Sequence, residues 1–102
     1  RYHLINAKGE EIEEKPTYKE AFRKHRCIVP LSGFFEWKKE EDSLKKPYVI
    51  QSRDHNILSI AGIWQTWSSQ DRTLLLNSFC IITTSANELM APIHSRMPVI
   101  LR

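Results

Sequence analysis

Short apolar runs rich in β-branched and aromatic residues recur along the whole chain, each closed by a polar, glycine or proline break: "CIVP", "GFFEW", "PYVI", "ILSIAGIWQTW", "SFCIITTSA" and "PVIL". Residues of this kind suit the pleated, half-buried surface of a sheet, so a chain punctuated this way has to bury its apolar faces in strands. "YHLINA" opens as a further short strand that "KGEE" breaks. "CIVP" and "GFFEWKKE" are expected to form a hairpin across the turn at Ser32 and Gly33, with "EEDSLKK" a polar loop. "PYVIQSR" and "ILSIAGIWQTW" are expected to form a second pair around "DHN". Helical period is confined to two places. In "PTYKEAFRKHRC", Thr17 and Glu20 form a capping-box pattern, and Tyr18, Ala21, Phe22 and His25 fall on one face, opposite Lys19, Arg23 and Lys24. Ser85 and Glu88 repeat the capping pattern and predict a second short helix ending before Pro92. The expected fold class is α+β, mostly antiparallel β, with two short helices.

The 102 residues, 41% of them hydrophobic, fit one domain with one core. Internal repeats, low-complexity segments and linkers are absent from the sequence. No apolar run approaches the ~20 residues that span a bilayer, and nothing near Arg1 has the form of a signal peptide. A soluble, cytoplasmic protein with no membrane partner is therefore expected. Cys27 and Cys80 stand in apolar contexts without the spacing of a zinc site, which predicts buried free thiols and neither metal nor cofactor.

The net charge is only +3, but Lys15, Lys19, Arg23, Lys24 and Arg26 crowd together, and Lys38, Lys39, Lys45 and Lys46 follow with acids between them. Such a patch fits a polyanion, but a solvated helix face is how most charge runs end up, and composition alone favours that reading. Four positions have the chemistry of a site. In a strand, Phe34 and Glu36 share one face and Phe35 and Trp37 the other. Glu36 is then either exposed beside a stray Phe34 or held in an apolar pocket, where loss of water raises the pKa of an acid. His94 in "PIHSRMPV" stands in a loop between two prolines, where a scaffold can aim a side chain without burying it. Arg96 shares its face if the backbone is extended, which would set a proton-transfer group beside a fixed cation. Asn6 closes an apolar strand, where an amide is ordinarily a turn residue.

Taken in order, "INAKGE", "RCIVPLSGFFEW", "KPYVI", "IAGIWQTW", "FCIITTSAN" and "IHSRMPVIL" resemble the SOS response-associated peptidase (SRAP) family, almost end to end, with "GFFEW" and "HSRMPVIL" the most specific blocks. The resemblance implies a compact, barrel-like, mostly β fold with a positively charged groove. It also implies recognition of abasic sites in single-stranded DNA, in a cytoplasmic, nucleoid-associated setting. Family members crosslink to the lesion through an N-terminal cysteine. Its amine forms a Schiff base with the C1 aldehyde of the opened sugar, and its thiol closes a thiazolidine ring.

By the same resemblance Asn6 matches the asparagine that orients that cysteine, Glu36 the acid-base glutamate, and His94 the histidine that assists opening of the sugar ring. Arg96 is expected to neutralise a phosphate. Lys8, where the family usually has arginine, would do the same without the bidentate fork. The nucleophile lies upstream in the family, and neither Cys27 nor Cys80 has the free amine a thiazolidine needs. The expectation is that these residues are the larger, C-terminal part of a single SRAP-like domain that also continues past "PVIL", and that this part alone is inactive. Two other readings remain open. One is a non-enzymatic module that binds single-stranded DNA through Lys8, Arg96 and the basic helix, with Trp37, Trp64 or Trp67 stacking on bases, although alternate apolar positions in strands are ordinarily core. The other is a thiol peptidase, with Glu36 and His94 assisting removal of a short propeptide from the parent's own cysteine.

Overall fold

The computed structural model describes residues 6–39, 44–54 and 56–101. The start of the opening strand, part of the "EEDSLKK" loop and His55 of "DHN" lie outside them. The elements run β1 (Asn6–Lys8), α1 (Pro16–Lys24), β2 (Arg26–Leu31), β3 (Phe34–Lys39), β4 (Lys45–Ile50), β5 (Leu58–Ser68), β6 (Leu75–Ser85), β7 (Arg96–Pro98) and β8 (Ile100–Leu101). The protein is mostly strand with one helix among the described residues, and its larger sheet curls as half a barrel.

That sheet has the order β1-β6-β5-β2, with β7 on β6 and β8 on β5. All its pairings are antiparallel except β1 with β6, where Asn6, Ala7 and Lys8 run parallel to Ile81, Ile82 and Thr83. The two hairpins expected from the sequence are re-partnered. β2 pairs with β5, from Arg26 opposite Ile63 to Leu31 opposite Leu58, and β3 pairs with β4, from Phe34 opposite Ile50 to Lys39 opposite Lys45. Ser32 and Gly33 thus carry the chain from one sheet to another rather than back along β2. Gly33 is required there: a Cβ on it would stand 2.8 Å from the Ile50 carbonyl oxygen, inside contact distance.

β5 and β6 diverge beyond Gly62 and Ile81, and the segment from Arg96 to Leu101 fills the gap between them. The Val99 N–H donates to the Ile82 carbonyl and the Val99 carbonyl accepts from the Ala61 N–H, each at 2.9 Å, so one residue ties the two long strands together.

Helix α1 begins at Pro16, whose ring pre-sets the helical φ, with Lys15 as N-cap and no side-chain cap. The expected Thr17 capping box is absent because Thr17 already lies within the first turn. Tyr18 and Ala21 are buried as the period predicts, and His25 stacks on Trp64 with ring centroids 4.0 Å apart. The second expected helix does not form. Residues 88–93 are successive turns, in which the Asn87 side-chain oxygen, rather than Ser85, accepts from the Met90 N–H at 2.9 Å. Pro92 has no N–H to give and its ring obstructs a helical carbonyl, which limits the segment to turns. Ala7, Ile12, Tyr18, Ala21, Ile63, Cys80 and Ile82 form the core between α1 and the sheet. No helix among the described residues is long and apolar enough to cross a membrane.

Candidate active site

Strand alternation divides β6 between two tasks. Cys80 and Ile82 face the core beneath α1, while Ile81 and Thr83 face the opposite side. β1 obeys the same alternation: Ala7 is buried in the core, and Asn6 and Lys8 lie on the Ile81 and Thr83 face. β7 adds Pro98 beside Thr83 and Arg96 beside Ser85. The start of β3 stands opposite this face, and the space between is a cavity of about 310 Å³. Leu31, Phe34, Ile81 and Met97 give it apolar walls, and Asn6, Glu36, Thr83, His94 and Arg96 bring polar atoms to it.

The four polar positions singled out in the sequence as catalytic or flanking, Asn6, Glu36, His94 and Arg96, therefore converge from β1, β3, the turn before β7, and β7. On β3, Phe34 and Glu36 are half-buried towards the cavity and Trp37, 53% exposed, does not line it, while Phe35, 69% exposed, still borders the cavity beside them. Lys8, Trp37 and Trp67 do not line the cavity. Lys8 is exposed on the same strand face as Asn6, while Trp37 and Trp67, 53% and 56% exposed, are surface residues rather than core. Cys80 is buried, and burial pushes its thiol up, as suits a structural thiol. Cys27 is half-buried rather than fully buried as expected. Among the described residues no cluster of His, Cys, Asp or Glu could hold a metal ion.

Two hydrogen-bonded groups set the electrostatics. The Arg96 guanidinium meets Glu10 in a bidentate pair, Nη1 to Oε2 and Nη2 to Oε1, both 2.9 Å, and Nη2 also donates to the Thr83 hydroxyl at 3.1 Å. The Arg96 main-chain N–H donates to His94 Nδ1 at 3.0 Å. Glu10 is the residue that sequence reasoning missed. It stands in the strand-breaking "KGEE" stretch, and its partner lies 86 positions away, so no local pattern marks it. Its location follows from the turn after β1, which the Gly9 N–H anchors to the Thr83 carbonyl at 2.8 Å.

The hydrogen bonds from Arg96, then one from the Glu10 main chain, hold the Glu10 carboxyl at about 2, below its ordinary 4.5. A carboxyl whose folded value is depressed stabilises the fold fully above its unfolded value. The contribution of this pair is thus complete above pH ~4.5 and is lost as pH falls towards about 2. A carboxyl-carbon NMR titration should place the Glu10 midpoint near 2, and Arg96→Gln should return it towards 4.5. A wild-type midpoint at the ordinary value would mean that the pair does not persist in solution.

A family model described as SOS response associated peptidase (SRAP) matches residues 1–102. The chain is 40% identical over 100 residues to abasic site processing protein YoqW of Bacillus subtilis (strain 168), a match covering 98% of this chain and 44% of that protein. It is 31% identical over 119 residues to abasic site processing protein HMCES of Xenopus tropicalis, covering 99% of this chain and 35% of that one. A crystal structure of a protein from Bacteroides thetaiotaomicron superposes with a TM-score of 0.91 at 42% identity, over 97% of this chain and 44% of that chain. The chain thus spans less than half the length of these relatives.

Proposed function

Because the chain belongs to the SOS response associated peptidase family, we propose that the full-length protein processes abasic sites in single-stranded DNA by forming a covalent thiazolidine crosslink, and that this chain supplies the acid-base half of the site. The observation that carries the reading is the convergence of Asn6, Glu36 and His94, from three separate elements, on one cavity of about 310 Å³.

The chemistry asks for groups of this kind. An N-terminal cysteine, outside this chain, attacks the C1 aldehyde of the opened sugar through its amine. Loss of water from the resulting carbinolamine needs a proton delivered to the leaving hydroxyl, and Glu36 is the donor. The thiol then adds to the imine carbon while its proton goes to the imine nitrogen, which closes the ring. Asn6 orients the cysteine, and His94 serves the ring oxygen or hydroxyl of the sugar during opening. The same nucleophile, with Glu36 and His94, would release a short propeptide from the protein's own N-terminus.

On the DNA side, exposed Lys8 faces the phosphates, and the exposed rings of Trp37 and Trp67 are available for stacking on bases. Arg96 adds positive charge at the cavity, reduced by its pairing with Glu10. The exposed tryptophans also favour the plainer reading of a DNA-binding module without covalent chemistry.

The test mixes the full-length protein, and separately this chain, with single-stranded DNA carrying one abasic site, followed by a denaturing gel. A heat-stable adduct with the full-length protein alone is expected. Binding by both without an adduct would leave the DNA-binding module. An adduct with this chain alone would mean that the nucleophile lies within it.

A further inference from the structure

The hydrogen bonds around Arg96 leave it little to offer a phosphate. Of its five N–H groups three are donated, to the two oxygens of Glu10 and to the Thr83 hydroxyl, and Nε is buried without a partner among the described residues. One Nη1 proton remains. The same residue reaches His94 through its backbone. A main-chain N–H can only donate, so at 3.0 Å the Arg96 amide requires His94 Nδ1 to be an acceptor, and the ring proton of the neutral imidazole then sits on Nε2. The other contact of Nδ1, to the Arg96 carbonyl, is longer at 3.3 Å and would serve only a protonated Nδ1. His94 is itself fixed at the backbone, its N–H donating to the Met90 carbonyl at 2.9 Å.

We infer that Glu10 is a positioning residue: by clamping the Arg96 side chain against Thr83 it holds the Arg96 amide on His94 Nδ1, and so sets His94 as a neutral imidazole that works as an Nε2–H donor. The inference rests on the abasic-site reading for the chemistry served, and deepens it. A neutral imidazole with its proton on Nε2 cannot take a proton there, and giving that proton up would leave an unfavourable anion. It polarises instead: a hydrogen bond from Nε2 to an oxygen of the sugar draws electron density from the carbon that the amine attacks, with no proton transferred. Full proton donation is then the task of Glu36, which stands in the same cavity. A guanidinium that reached outward to DNA would lose the clamp, so charge and orientation are divided between Lys8, which is exposed, and Arg96, which is held.

The test uses full-length protein labelled with 15N-histidine and a long-range proton–nitrogen correlation spectrum, which reports the tautomer without DNA. In the wild type His94 should show Nε2 protonated and Nδ1 bare. In Glu10→Gln the two nitrogens should move towards a tautomer mixture. Adduct formation at saturating DNA should fall about tenfold to a hundredfold, with affinity for an undamaged strand changed by less than about twofold. Should that variant not fold, Glu10→Asp, which keeps the charge and shortens the arm, should give the same changes to a smaller degree. An unchanged tautomer, or tighter binding to DNA at an unchanged rate, would overturn the inference, the latter by making Glu10 a shield over a phosphate-binding Arg96. If the wild type forms no adduct at all, the abasic-site reading fails, while the spectrum still decides whether Glu10 orients His94.

Discussion

Glu36→Gln should slow covalent adduct formation on abasic single-stranded DNA by about 10²- to 10⁴-fold, the range a positioned general acid contributes, and leave affinity for the strand within about twofold. Glutamine has the shape of glutamate and can still hydrogen-bond, so the cavity wall next to Phe34 is preserved. What it lacks is an acidic proton for the carbinolamine hydroxyl. Glu36 faces the cavity while Trp37, the next residue, is 53% exposed and does not line it, so the substitution leaves that ring undisturbed. Single-turnover gels give the rate, and fluorescence anisotropy with undamaged strand gives the affinity. A variant as fast as the wild type would remove Glu36 from the chemistry, and a parallel loss of rate and affinity would make it a binding residue.

The second large effect is on stability. Ile63 is 1% exposed, near the middle of β5, with Arg26 of β2 opposite it on one side and Cys80 of β6 on the other. Ile63→Ala removes three carbons from a packed core, which costs about 2–5 kcal/mol from the lost burial and the cavity left behind. Against the roughly 5–15 kcal/mol that ordinarily holds a domain together, that is a severe loss, and for a domain of this size it should lower Tm by roughly 10–20 °C. Thermal circular dichroism would measure it. A change below about 1 kcal/mol would show that the space collapses, or that Ile63 is not enclosed in solution. Trp67→Ala, at an exposed site on the same strand, should cost far less.

What the sequence made legible was local alternation. It located the strands, assigned Glu36 and Trp37 to opposite faces, and identified the buried side of α1 from Tyr18 and Ala21. Partner choice is not a local property, and there it failed. Nothing in "CIVP" states that its partner is the first half of a strand thirty residues on, because both candidate partners offer the same apolar surface. The parallel pairing of β1 with β6 was hidden for the same reason. The second helix was expected from a capping pattern, but Pro92 and the Asn87 cap overrode it. In the candidate site, the residues that the sequence marked and the fold brings to one cavity are those with chemistry of their own. Glu10, whose role depends on a guanidinium 86 positions away, carried no mark in its neighbourhood.

Strand β6 carries Asn6 on one flank and Arg96 on the other, through β1 and β7, which pair with it at Thr83 from opposite sides. Partners so distant in sequence come together slowly, because a long loop has to close before any contact forms. The cavity is therefore among the last features of the fold to assemble, and it cannot exist on a growing chain until β7 has left the ribosome. A polypeptide stalled or broken between β1 and β7 would lack His94, Arg96, Met97 and Pro98, and with them one wall of the cavity.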